Sequence, residues 1–227
     1  EEQYKWFLEN KELDFAYAVP GVARFRTNVY YQLRGVSIAF RIIPENIRTL
    51  NELGAPDGVF KLAREQEGLV LVTGPTGSGK STTLAAMIDL VDSERYMHII
   101  TVEDPIEYVY KGQKCLINQR ELGPHTKSFA NALRAALRED PDVILIGEMR
   151  DLETISLAIE AASTGHLVFG TLHTSSAAKT VDRVIEVFPA NQQEQIRNTL
   201  ADGLRAVVAQ SLFKRIDRRG RIVALEI

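Results

Sequence analysis

Leu69-Val70-Leu71-Val72-Thr73, followed directly by Gly74-Pro75-Thr76-Gly77-Ser78-Gly79-Lys80-Ser81-Thr82-Thr83, decides the fold of this chain. The first five residues read as a buried strand, and the run from Lys80 to about Val91 reads as a helix. Between them, Gly74 to Ser81 fit G-x-x-x-x-G-K-[ST] without a mismatch. A strand before and a helix after are the context that separates such a match from a chance glycine-rich turn. The residue types follow from the chemistry. Glycines let the backbone curl until successive N–H groups converge on phosphate oxygens. A helix N-terminus adds partial positive charge. A lysine at position 80 neutralises the β- and γ-phosphates, a hydroxyl at Ser81 ligates Mg²⁺, and Thr82 is placed for the α-phosphate. A nucleoside triphosphate with Mg²⁺ is therefore the expected ligand, and ATP hydrolysis the expected chemistry.

Outward from the loop, buried apolar strands alternate with helices. Strands are expected at Leu69–Thr73, His98–Val102, Val143–Gly147 and Leu167–Thr171, with helices at 80–91, 127–139 and 151–162 between them. That order predicts a parallel sheet with helices on both faces. A further helix is expected from about Ala190 through Ala209 and a last strand at 221–227. Before the loop the pattern differs. Leu13–Val19, Ala23–Tyr30 and Val36–Ile42 alternate apolar with polar or small residues, with Pro20-Gly21 as a turn, and read as antiparallel strands. Residues 44–58 are rich in Pro, Gly and polar side chains and read as a linker, with a short helix at 59–66. The architecture expected is a small β-rich domain followed by an α/β nucleotide-binding domain, with neither repeats nor low-complexity tracts.

Hydrolysis needs a carboxylate near the metal and a group that orients water. Val143-Ile144-Leu145-Ile146-Gly147-Glu148 is an apolar strand ending in an acid, with Gly147 where a Walker B aspartate usually stands. Glu148 is therefore expected to serve through its longer arm, by way of a metal-bound water; an N-cap or surface role is the alternative. His98-Ile99-Ile100-Thr101-Val102-Glu103-Asp104-Pro105-Ile106-Glu107 places three acids behind another strand, where α/β sheets bind ligands. One of them is a candidate general base, against the alternative of a solvated turn. His173, at the end of Leu167–Thr174, is a candidate γ-phosphate sensor or a hydrogen-bonded structural histidine; His166 opens the same strand.

Composition narrows the partners. Hydrophobic residues are 45% and charged residues 25%, so a proper core can be buried. A net charge of −3 gives no basic excess for nucleic acid, and no basic stretch is interleaved with aromatics. Lys214-Arg215 and Arg218-Arg219 form a small cluster that reads as a solvated turn. The single cysteine, Cys115, excludes an intrachain disulfide and a multi-cysteine zinc site and suits a cytoplasmic setting. No apolar run reaches the roughly 18–20 residues of a membrane span, and no signal peptide heads the sequence. The chain opens on Glu1 rather than Met and stops in the strand-like IVALEI, so further sequence is expected at both ends.

Four boxes occur together and in order: GPTGSGKSTT, TVEDPIEYV, DPDVILIGEMRDLET and TGHLVFGTLHTSSAAKTVDRV. With PGVARFR before the loop and NQRELG after the acidic box, the sequence resembles the secretion-ATPase superfamily over essentially all 227 residues. Within it, the similarity is greatest to the motors that retract type IV pili. The resemblance implies a PAS-like N-terminal α+β domain lacking its first strands (1–48), a linker (49–58) and a RecA-like P-loop NTPase domain (59–227) short of its C-terminal helices. It implies a homohexameric ring with ATP between subunits, working in the cytoplasm beside an inner-membrane platform protein of the pilus machinery. By the same resemblance, Gly74 through Thr82 hold nucleotide, Ser81 and Glu148 serve the metal, and His173 is the histidine-box sensor. Glu107 or Glu103 is the catalytic glutamate, with Glu107 slightly favoured. Arg26, Arg41 and Arg183 match arginines that reach phosphate.

Two features separate branches of the superfamily. Pilus-assembly and type II secretion relatives usually carry a four-cysteine zinc site, which one cysteine excludes here and which directs the reading to retraction. Retraction motors also carry a helix with an AIRNLIRE-like motif after the last strand, and residues 1–227 stop before it. A secretion or assembly ATPase without zinc, a nucleotide-regulated binding module and a nucleic-acid motor are the other readings.

Overall fold

The computed structural model describes residues 2–44 and 46–227. In chain order the elements are α1 (Glu2–Asn10), β1 (Glu12–Val19), β2 (Ala23–Gln32), β3 (Gly35–Ile43), α2 (Leu50–Leu53), α3 (Asp57–Ala63), β4 (Gly68–Thr73) and α4 (Lys80–Glu94). They continue with β5 (His98–Glu103), β6 (Leu116–Glu121), α5 (Phe129–Ala136), β7 (Val143–Ile146), α6 (Leu152–Ser163), β8 (Leu167–Leu172), α7 (Ala177–Glu186), α8 (Gln193–Gly203), β9 (Leu204–Lys214) and β10 (Arg221–Glu226). Two compact units result: residues 1–46 with 107–109, and residues 47–106 with 110–227.

The first unit holds an antiparallel sheet in the order β1-β2-β3, preceded by α1. Its alternating sequence produces two unlike faces, because successive side chains point to opposite sides. One face carries Phe15, Phe25, Phe40 and Ile42, with Phe25 and Phe40 edge-to-face at 5.7 Å between ring centroids. The opposite face carries Arg26 directly across from Arg41.

The second unit is a seven-stranded mixed sheet in the order β10-β9-β4-β8-β7-β5-β6. All neighbouring pairs are parallel except β9 with the edge strand β10. The strands β4, β7 and β8 are buried along their whole length, which explains their unbroken apolar runs. One core lies against α2, α3 and α4 and includes Leu50, Val59, Val70, Val72, Met87 and Phe169. The other lies against α5 to α8 and includes Leu69, Leu71, Ile144, Ile155, Val184 and Leu200. Helices on both faces of a sheet make this the α/β arrangement expected.

Several local expectations change. The helix expected to reach Ala209 ends at Gly203, and Leu204–Lys214 is strand β9 beside β4. The Ala206-Val207-Val208-Ala209 run suits either element, and the unpaired edge of β4 decides in favour of a strand. Strand β6 had no apolar run to announce it, because it lies at a sheet edge and alternates exposed with partly buried residues. Residues 49–58, read as linker, are folded. Thr49 and Glu52 form a capping box on α2, Gly54 closes it at φ 68°, and Leu50 enters the core.

Candidate active site

The phosphate loop leaves β4 at the C-terminal edge of the sheet, with β8 on one side of that strand and β9 on the other. Gly74, Gly77 and Gly79 have φ of 140°, 78° and 93°, a region that disfavours a side chain. Gly74 also has no room for one, since a Cβ there would stand 2.2 Å from the Gln210 carbonyl oxygen. Ser78 N–H donates to Pro75 O at 3.1 Å and tightens the loop. Gly79 is the N-cap of α4 and supplies no side-chain cap, whereas Thr49, Ser128, Asp151 and Ser176 each cap their helices with an oxygen. Ser81 and Thr82 follow in the first turn of α4, both half-buried.

Lys80 is only 8% exposed, and its ammonium donates to Gly74 O at 2.8 Å and Pro75 O at 3.3 Å. Its Nζ also stands 3.5 Å from His173 Nδ1. His173 Nε2 in turn meets Glu148 Oε1 at 3.0 Å. Three residues far apart in sequence thus form one line of contacts, Lys80–His173–Glu148. The second carboxylate oxygen of Glu148 accepts from Arg150.

Backbone bonds fix Glu148 in this place. Gly147 N–H extends the ladder to Val102 O at 2.8 Å on β5, and Met149 N–H reaches Thr171 O at 3.0 Å on β8. The Thr171 hydroxyl donates to Gly147 O. The glycine has a steric cause: a Cβ at position 147 would lie 3.1 Å from Glu103 Cα and 3.2 Å from Val102 O. An acid cannot be seated there without moving β5, and the carboxylate comes from the next residue instead. Burial alone would push the Glu148 carboxyl up, but the hydrogen bond and charge of Arg150, followed by His173, bring it below the ordinary glutamate value.

Glu103 ends β5, is buried, and its Oε1 accepts from Thr101 Oγ1 at 2.7 Å and Gln119 Nε2 at 3.3 Å. Glu107 is half-buried and lies in the 107–109 segment that groups with the first unit, as do Arg26 and Arg41. Arg183 is exposed in the last turn of α7. His166 sits at the opposite end of β8, where its Nδ1 lies 3.0 Å from Ala161 O, a position suited to holding the end of α6. Sequence reading missed two polar partners. Arg150 sits two residues beyond Glu148, in a box already quoted. Gln210 is 4% exposed in β9, and nothing in its sequence neighbourhood points to the loop. A cavity of about 280 Å³ opens beside the loop between Thr76, Gly77, Ser78, Leu212, Phe213 and Arg221.

A mixed α/β sheet with this loop after a central strand, His173 after the adjacent β8 and Glu148 after β7 beyond it, defines a RecA-like P-loop protein. The chain belongs to the family of type II/IV secretion system proteins, which it matches over residues 15–225. It is 57% identical to the twitching motility protein of Neisseria gonorrhoeae, over 99% of this chain and 60% of that one. It is 56% identical to the type IV pilus retractation ATPase PilT of Pseudomonas aeruginosa, over 100% of this chain and 66% of the relative. The crystal structure of the pilus retraction motor PilT with bound ADP superposes with a TM-score of 0.97 at 54% identity, covering 100% of this chain and 66% of that one. The chain therefore spans less than two thirds of the length of these relatives. No helix among the described residues is long and apolar enough to cross a membrane.

Proposed function

We propose that this chain is the ATP-hydrolysing part of a motor that retracts type IV pili. The observation that carries the reading is the Lys80–His173–Glu148 line of contacts beside the phosphate loop. The names of the similar proteins, a twitching motility protein and a pilus retraction motor holding ADP, supply the biological setting.

The substrate is Mg–ATP. Its β- and γ-phosphates would lie on the 74–80 backbone, and Lys80 would exchange the Gly74 and Pro75 carbonyls for phosphate oxygens. Ser81 would ligate the metal, and Glu148 would hold a metal-bound water. A carboxylate kept ionised by Arg150 and His173 suits that task. His173, touching both Lys80 and Glu148, is placed to register the γ-phosphate. Glu107, less buried than Glu103, would be the group that orients the attacking water. Arg26 and Arg41, opposite each other in the sheet, make a like-charge pair that is unfavourable alone and suited to sharing an anion. With Arg183 they would close the site from neighbouring subunits of a homohexamer. The ring would act in the cytoplasm, on the inner-membrane platform protein of the pilus machinery.

Phosphate release by the purified full-length protein tests the enzyme. Lys80→Ala and Glu148→Gln are each expected to lower turnover by about 100-fold or more, as removal of a group that stabilises transition-state charge does. Undiminished turnover in both would sink the reading. Pilus retraction in a strain carrying only Lys80→Ala should stop; normal retraction would remove the motor assignment and leave the ATPase.

A further inference from the structure

We infer that Gln210 is a positioning residue for the phosphate loop, holding the Ser78–Gly79 peptide in the orientation that presents its N–H to phosphate. The inference rests on the nucleotide reading above and adds a residue from outside all four sequence boxes.

Gln210 lies in β9 and contacts the loop from beneath. Its Nε2 donates to Ser78 O at 2.7 Å, and its Oε1 accepts from the Thr83 hydroxyl at 2.8 Å. The orientation of the amide is unambiguous, because a carbonyl oxygen can only accept and so demands the NH₂ end. Gln210, Ser78 and Thr83 are 4%, 3% and 7% exposed, so water does not replace these bonds. The amide also stands where a side chain on Gly79 would be, with Nε2 2.8 Å from the position of a Cβ there.

The consequence follows from peptide geometry. In a planar trans peptide the C=O and N–H point opposite ways. Drawing the Ser78 oxygen towards β9 therefore turns the Gly79 N–H away from β9, to the side where a phosphate is cradled. Gly79 at φ 93° is a residue whose backbone is otherwise free to turn. One amide thus settles a peptide orientation that the glycine leaves open, and its Thr83 bond ties that peptide to the first turn of α4. The hydrogen bond spans 132 residues of sequence.

Gln210→Glu tests this in the full-length protein. The change keeps size and the Thr83 bond, but sets a carboxylate oxygen against the Ser78 carbonyl. At about pH 8 the affinity for a fluorescent ADP analogue with Mg²⁺ is expected to fall by roughly 10- to 100-fold, the effect of leaving a buried acceptor unpaired. As the pH is lowered, the buried carboxyl takes up a proton, becomes a donor to Ser78 O, and affinity should return towards the wild-type value measured at each pH. A lesion of packing alone would not recover with acid, and an unfolding lesion would show as a loss of stability in parallel urea titrations at each pH. Wild-type affinity in the folded variant at every pH up to about 9.5, above the roughly 8–9 that a buried carboxyl can reach, or a loss that acid does not reverse, would overturn the assignment. If Gln210→Glu does not fold, Gln210→Met is titrated instead: a loss of affinity similar at every pH supports the role, and unchanged affinity refutes it. Should the wild-type protein itself bind no nucleotide, the functional reading fails, and this inference falls with it.

Discussion

The two flanks of strand β4 are built on different principles. On the β8 side stand Glu148, Arg150 and His173, whose side chains are 21%, 72% and 47% exposed. On the β9 side stand Ser78, Thr83 and Gln210, neutral and nearly inaccessible. Charge can be held where water or phosphate solvates it, whereas a buried ion needs full pairing to offset its desolvation. A neutral amide can be buried if its NH₂ and its oxygen are both used. The exposed flank therefore carries groups that are free to exchange their partners for a phosphate or water, and the buried flank carries groups that fix shape. A phosphate loop needs both, because its ligand contacts are backbone N–H groups with no side chains of their own to orient them.

Substitutions on each side can break or sharpen this contrast. The largest effect is expected on the buried flank, from Gly74→Ala. A Cβ at φ 140° and 2.2 Å from Gln210 O leaves the loop no native conformation, with a cost of about 3 kcal/mol or more in stability and loss of nucleotide binding. Urea unfolding and nucleotide titration would read both, and a stable, binding variant would refute the close approach. Gly147→Ala, on the reactive flank, meets Glu103 Cα and Val102 O at 3.1 and 3.2 Å, a tight but not prohibitive contact. Its expected cost is about 1–3 kcal/mol, with turnover falling as Glu148 shifts. If the variant matched the wild type in both measurements, glycine at this position would have no steric cause.

Arg150→Ala should do least to stability, below about 1 kcal/mol, because the guanidinium is largely exposed and its pair is screened. Its signature is in pH. Glu148 lies below its ordinary value, so its ion pairs contribute fully above that ordinary value and are lost as pH falls through the lowered one. Removing Arg150 raises the Glu148 carboxyl, and the acid limb of the turnover profile should move to higher pH. A profile unchanged from the wild type would show that Arg150 does not set the charge of Glu148.

How much was legible in the sequence differed between the flanks for the same reason that their chemistry does. Glu148 and His173 lie just after apolar strands and Lys80 heads the helix that follows another, and strand ends in a parallel sheet gather on one edge. Their gathering at that edge was expected from the strand ends together with the family resemblance, with a capping or surface Glu148 and a structural His173 as the alternatives. Glycine at 147 was visible only as a missing aspartate; its cause lies in the approach of β5, to which no local sequence refers. Gln210 was hidden twice over. The helix expected through Ala209 concealed the strand that carries it, and a lone glutamine in an apolar run has no motif.

The sequence by itself determined the phosphate loop, most of the alternation of strands and helices, and the places of Glu148 and His173 at strand ends, because each depends on neighbours within a turn or a strand. Tertiary structure alone decided that Leu204–Lys214 is a strand, that position 147 is crowded by β5, and that Gln210 holds the loop. Those three depend on an unpaired strand edge, on the distance between two backbones and on a hydrogen bond across 132 residues. Such quantities exist only once the chain is packed.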